Sequence, residues 1–130
     1  MQQANIHLLL IDPQNDFCDV PNAALPVAGA SADLQRVALL LAEHGARFSQ
    51  IHVTLDSHNA FDIAHPAWWV NAAGQSPAPF TPITLPDVEQ GLWRAKSTAK
   101  QRLSIDYVQQ LAAKNSYQLI VWPEHCLVGS

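Results

Sequence analysis

The sequence predicts an α/β fold built on a parallel sheet. Three short β-prone runs, Ile6–Ile11, Ile51–Leu55 and Leu119–Trp122, alternate with two stretches of helical periodicity. The first run is almost continuously apolar, the pattern of a strand buried on both faces of a parallel sheet. The runs stop at Asp12, Asp56 and Pro123. The order is therefore strand, helix, strand, long connection, helix, strand, which is the order of an α/β protein.

Each element has a local justification. Asp12-Pro13 ends the first strand, and prolines with Asn and Asp make the segment to about Gly29 a loop. Ser31 is placed to cap the first helix, with Asp33 in its first turn. Leu34, Val37, Leu41 and His44 recur at helical spacing, Ala38 and Leu40 thicken the stripe, and Gly45 is placed to stop it. The second strand follows. From Ser57 to about Arg102 the chain is rich in proline and tryptophan and shows no sustained periodicity. A connection of that length is uncommon unless it is functional. Ser104 is placed to cap the second helix, with Tyr107, Val108, Leu111 and Ala112 on one face. The third strand closes the pattern.

Composition narrows the classes. The 130 residues fit about one domain. Hydrophobic residues at 48% with charged residues at only 14% exclude disorder and suggest a surface covered by another chain or subunit. A net charge of −4, with seven Lys and Arg that form no basic run, argues against a nucleic-acid footprint. The apolar run Leu8–Ile11 is far too short to span a bilayer, and no signal-peptide pattern is visible. Cys18 and Cys126 make no disulfide framework, so reduced thiols and a cytoplasmic location are expected.

In open α/β sheets ligands bind beyond the carboxyl ends of the strands. Asp12, Asp56 and the turn carrying His125 are therefore expected at one rim. Asp56 and His58, two apart on extended chain, point to the same side. His65 lies seven residues on, and His125 leaves the third strand. Three imidazoles and a carboxylate suit zinc, iron or manganese; the competing reading is of loop histidines at the surface. Asp12, partly desolvated behind a buried strand, reads as a general base or as a cap of the following turn. Asn15 and Asp16 suit the structural role. Cys126 beside His125 reads as an activated nucleophile or, more commonly, as an inert buried thiol; Cys18 has no visible activator. Phe17, Trp68, Trp69, Trp93 and Trp122 either stack on a flat ligand or form core, and Lys96, Lys100 and Lys114 read as solvated.

One set of motifs goes further. Asp12-Pro13-Gln14-Asn15-Asp16-Phe17, after an apolar strand, resembles the D-x-Q-N-D-F motif of the isochorismatase-like cysteine hydrolases. Asp56-x-His58 with His65, followed by Trp122-Pro123-Glu124-His125-Cys126, resembles the nicotinamidase branch. The resemblance implies a three-layer Rossmann-like parallel sheet with flanking helices. Residues 1–130 would form the N-terminal part of that single domain, with its C-terminal part missing. It implies that Asp12 is the catalytic acid/base, that Asp56, His58, His65 and His125 bind a divalent metal, and that Phe17 and Trp122 line a ring pocket. Cys126 does not match the family's nucleophile. The implied reaction is hydrolysis of a nicotinamide-like carboxamide to acid and ammonia. A thiolate activated by the Asp and a Lys attacks the amide carbon, and backbone amides hold the oxyanion.

In the family's order that Lys and Cys follow the last motif, beyond residue 130. This chain alone is then expected to be inactive, with a C-terminal segment completing the domain and a homo-oligomer as the assembly. The stretch 66–102 is longer than simple nicotinamidases have. The alternatives are a non-catalytic metal- or ring-binding module of the same fold, and an interaction protein whose histidines are incidental.

Overall fold

The computed structural model describes residues 5–114 and 117–130. The chain is mixed α/β and folds as two compact units, Met1–Ser57 and His58–Ser130.

The first unit is a β-α-β crossover. Strands β1 (His7–Leu10) and β2 (Gln50–Val53) pair in parallel, from His7 opposite Gln50 to Leu10 opposite Val53. Parallel neighbours need a long connection, and helix α1 (Ala30–His44) supplies it. Within the loop before α1, a single 3-10 turn covers Asn15–Phe17. The Leu25 and Val27 amides donate to the Asp16 and Phe17 carbonyls and fold the loop back on that turn.

Helix α1 does not start at the expected Ser31 cap. Gly29, in the left-handed region at φ 85°, precedes it, and no side chain of the N-cap residue bonds the first turn. The orphan amides go instead to Asp19, ten residues earlier. Its two carboxylate oxygens accept from Gly29 N (3.1 Å) and Ser31 N (2.8 Å). A cap from outside the helix leaves no local signature, which is why position 31 misled. The Ser31 hydroxyl, close to Asp19 but off hydrogen-bonding geometry, and the Ser31 and Gly29 amides hold the Asp19 carboxyl down at about 2. A depressed carboxylate stabilises the fold above its ordinary pKa of 3.8 and loses that contribution as pH falls towards 2. Acid titration of helicity should therefore show a step in that window, and Asp19→Asn should remove it; a step that survives the substitution excludes Asp19 as its source.

This unit keeps much apolar side-chain surface uncovered. Leu9, Ile11, Ile51, Val53, Leu55 and Leu39 are all exposed, and Cys18 is its single buried residue among those described. Each strand of a parallel pair ordinarily has both faces covered.

The second unit holds the core. Trp68, Trp69, Ile83, Val88, Ala95, Val108, Leu119 and Val121 form one buried cluster. Two short antiparallel ladders build it. Strand β3 (Trp69–Val70) pairs with β5 (Arg94–Ala95), and β4 (Pro82–Ile83) pairs with β6 (Leu119–Ile120). Helix α2 (Leu85–Glu89) starts at a reciprocal capping box between Thr84 and Asp87. Helix α3 (Gln101–Ala113) continues a 3-10 turn over Thr98–Lys100.

Three expectations are corrected here. Where the sequence predicts a parallel strand, the third run forms β6 and pairs antiparallel with β4; among the described residues the parallel pair is β1 with β2. The stretch read as a connection supplies β6 with its partner, because Ile83, Leu119 and Val121 bury together there. Ser104 is no cap. It lies inside α3, fully buried, donates to the Lys100 carbonyl (3.0 Å) and accepts from the Trp68 indole (2.9 Å). Trp68 and Trp69 are core. Among the described residues no helix is long and apolar enough to cross a membrane.

Candidate metal centre

His58 is positioned by its backbone. It forms an isolated parallel bridge with Leu127; its amide donates to the Cys126 carbonyl (3.0 Å) and its carbonyl accepts from Val128 N (2.9 Å). That clamp ties the His58 backbone to the chain just after His125. Cys126 sits in the left-handed region at φ 47° and is buried. Such a conformation costs a non-glycine residue roughly 1–2 kcal/mol. The His58 amide bond is one interaction that holds it there.

Three imidazoles converge. Ring centroids are 5.0 Å apart for His58–His65, 4.8 Å for His58–His125 and 5.4 Å for His65–His125. One donor atom each from Asp56, His58 and His125 lie within 4.8 Å of one another. Asp56 enters this set through the chain, since only Ser57 separates it from His58. His65 falls outside that three-residue set and joins through its ring.

The protonation pattern suits a cation. His125 Nδ1 lies 2.7 Å from the Pro123 carbonyl, which can only accept, so Nδ1 carries the proton and Nε2 the lone pair of the neutral ring. His58 Nδ1 faces Asp62 Oδ2 at 3.3 Å, the carboxylate–imidazole arrangement that orients metal ligands. Burial pushes Asp62 up, but the Ala64 amide, the His58 hydrogen bond and the His58 and His65 charges outweigh it and hold the carboxyl below its ordinary value. His65 is fully buried and neither ring nitrogen has a hydrogen-bond partner. Burial pushes its pKa down. The other two imidazoles add to that, while Asp62 and the Ala60 backbone, the latter outside bonding geometry, oppose it. A buried unpaired polar group costs about 1–3 kcal/mol. A divalent ion among these rings gives such an orphan nitrogen a counterpart, and imidazoles with a carboxylate fit zinc, iron or manganese.

Two residues that sequence reasoning missed support this arrangement. Asp62 is one; an acid four residues after a candidate ligand is the signal. Gln14 is the other. Its side-chain amide bonds both sides of the Asp56 backbone, accepting from Asp56 N (2.7 Å) and donating to Asp56 O (3.0 Å). It is a positioning residue, and its place in the first motif is the signal.

The remaining expected residues lie as follows. Asp12 adopts φ 48° beyond β1. Its amide bonds the Thr54 carbonyl (3.2 Å) and hydroxyl (3.1 Å), and its carboxylate accepts the Thr54 hydroxyl at 2.6 Å. That is a tether to the neighbouring strand end. Asp12 and Phe17 share a cavity of about 320 Å³ in the first unit, walled by Ile11, Cys18, Val27 and Leu34. In the second unit Trp122, partly exposed, meets Phe80 edge-on at 5.9 Å, and its amide donates to the Ala64 carbonyl.

Comparison with known protein families, with characterised proteins and with solved structures finds no match to this chain.

Proposed function

We propose that this chain carries the metal-binding and base-supplying part of a nicotinamidase-like cysteine amidohydrolase acting on a heteroaromatic carboxamide. The observation that carries the reading is the convergence of Asp56, His58 and His125 donor atoms beside the orphaned, buried His65. The Asp12 motif adds the base. A divalent ion held there supplies an electron-pair acceptor for a ring nitrogen and so orients the ring. Asp12, oriented by Thr54, takes the proton of an attacking thiol. Phe17 and Trp122 are the ring-pocket residues that the motif resemblance implies. The thiolate adds to the amide carbon, Asp12 returns the proton to the amide nitrogen as the C–N bond breaks and ammonia leaves, and water then cleaves the thioester to the acid and the regenerated thiol.

In the same reading a companion segment supplies the attacking thiol and its lysine. The exposed apolar strands of the first unit support such a cover. A cytoplasmic, homo-oligomeric protein is part of the same reading.

One observation favours a second reading, a metal- and ring-binding module without chemistry: Cys126 is buried, and the buried Cys18 thiol donates to the Gln14 carbonyl at 3.3 Å. Ammonia release from nicotinamide separates the two. The chain together with any co-purifying segment should release ammonia, and Asp12→Asn should abolish release while metal content stays unchanged. Metal uptake without ammonia release would establish the binding module; release undiminished in Asp12→Asn would make Asp12 a structural tether.

A further inference from the structure

Four of the seven lysines and arginines, Arg94, Lys96, Lys100 and Arg102, fall within nine residues. No two are adjacent, so they form no basic run in the sequence. The fold of the second unit sorts them. Arg102 is taken up by Asp106 at 3.0 Å, one helical turn on. Arg94 and Lys96 have no ion-pair partner among the described residues, and both are exposed. They line one cavity of about 620 Å³ with Val70, Ala95, Thr98 and Gln101, and no acidic side chain lines it.

The walls are held by backbone. Arg94 and Ala95 lie in β5, paired with β3, and the Lys96 amide donates to the Trp68 carbonyl at 2.7 Å. Gln101 Oε1 accepts from the Ala95 amide at 2.8 Å, which leaves its NH2 as the donor end. The cavity thus has a buried apolar base, Val70 and Ala95, and a rim of donors. Its volume is in the roughly 300–1,000 Å³ range of small-molecule sites.

We propose that this cavity binds a small phosphomonoester with an apolar body, its phosphate between Arg94 and Lys96 and its body over Val70 and Ala95. A phosphomonoester carries close to two negative charges at neutral pH and three acceptor oxygens. It therefore matches two cations, of which Arg gives a planar fork and Lys a point charge, together with the Thr98 and Gln101 donors. A monocarboxylate would match one cation and leave the other uncompensated. A polymeric nucleic acid is disfavoured by the net charge of −4.

The test is equilibrium titration of the full chain with phenyl phosphate, then with inorganic phosphate at equal ionic strength. Saturable binding is expected, tighter for phenyl phosphate. Arg94→Gln with Lys96→Gln should weaken it about tenfold or more, the scale of losing charge-assisted hydrogen bonds. Arg47→Gln with Lys114→Gln makes the same change of charge at other exposed positions and should leave binding intact. All four side chains are exposed, and a helicity spectrum checks that each variant folds. The proposal is overturned if the folded chain shows no saturable binding, if both variants weaken it alike, or if the two phosphates bind equally.

Discussion

His58→Ala and His125→Ala should each lower zinc affinity by about 100-fold or more while the second unit stays folded. Structural zinc sites contribute roughly 10–16 kcal/mol through about four ligands, so one ligand accounts for about 3 kcal/mol, a factor of 100 or more in affinity. Both side chains lie outside the apolar cluster, so folding should survive. Asp62→Asn should act more mildly, about 10–100-fold, because it orients His58 instead of binding the ion. Acid should release the ion, since ligating imidazoles must be neutral. Titration followed by competition with a chelator measures all of these. Equal affinities across the set would mean that the cluster binds no metal.

Trp69→Ala should be the most damaging substitution in the second unit. Trp69 is fully buried, pairs with Ala95 and donates its indole N–H to the Ile63 carbonyl at 2.7 Å. Truncating a buried tryptophan costs about 3–5 kcal/mol. At the usual stability per residue a unit spanning His58–Ser130 holds roughly 4–11 kcal/mol, so Trp69→Ala consumes much of it and should take the metal site with it. Trp122→Ala, at a partly exposed position whose backbone bond survives, should cost less than about 1 kcal/mol. Urea unfolding followed by circular dichroism discriminates: equal costs would mean that Trp69 is not central to the core.

What the sequence made legible was local. The first two strands, the helix between them and the helix before Leu119 carry period and run length that survive without tertiary context. The Asp56-x-His58 pair is legible for the same reason, because extended chain alone puts both side chains on one side. What stayed hidden depends on distant partners. Ser104 looks like a cap until the Trp68 indole, 36 residues away, is seen on its hydroxyl. Asp19 caps α1 from a loop. Strand β4 has two residues, too short for alternation, and Pro82 argues against a strand until its pairing with β6, in the run expected at Leu119–Trp122, is known. Gln14 had a motif but no visible task until its two bonds to the Asp56 backbone appeared.

A count of bound metal tests most directly whether Asp56, His58 and His125, beside His65, make a built metal centre. One confounder is visible. His7 and His52 pack at 5.5 Å between ring centroids on the strands of the first unit, and an exposed imidazole pair can scavenge metal. The measurement is therefore zinc stoichiometry by elemental analysis after dialysis, made on the His7→Ala/His52→Ala chain. One equivalent retained there, and lost on further substitution of His58 or His125, is the predicted result. Metal that disappears with His7 and His52, or persists without His58 and His125, would contradict the assignment.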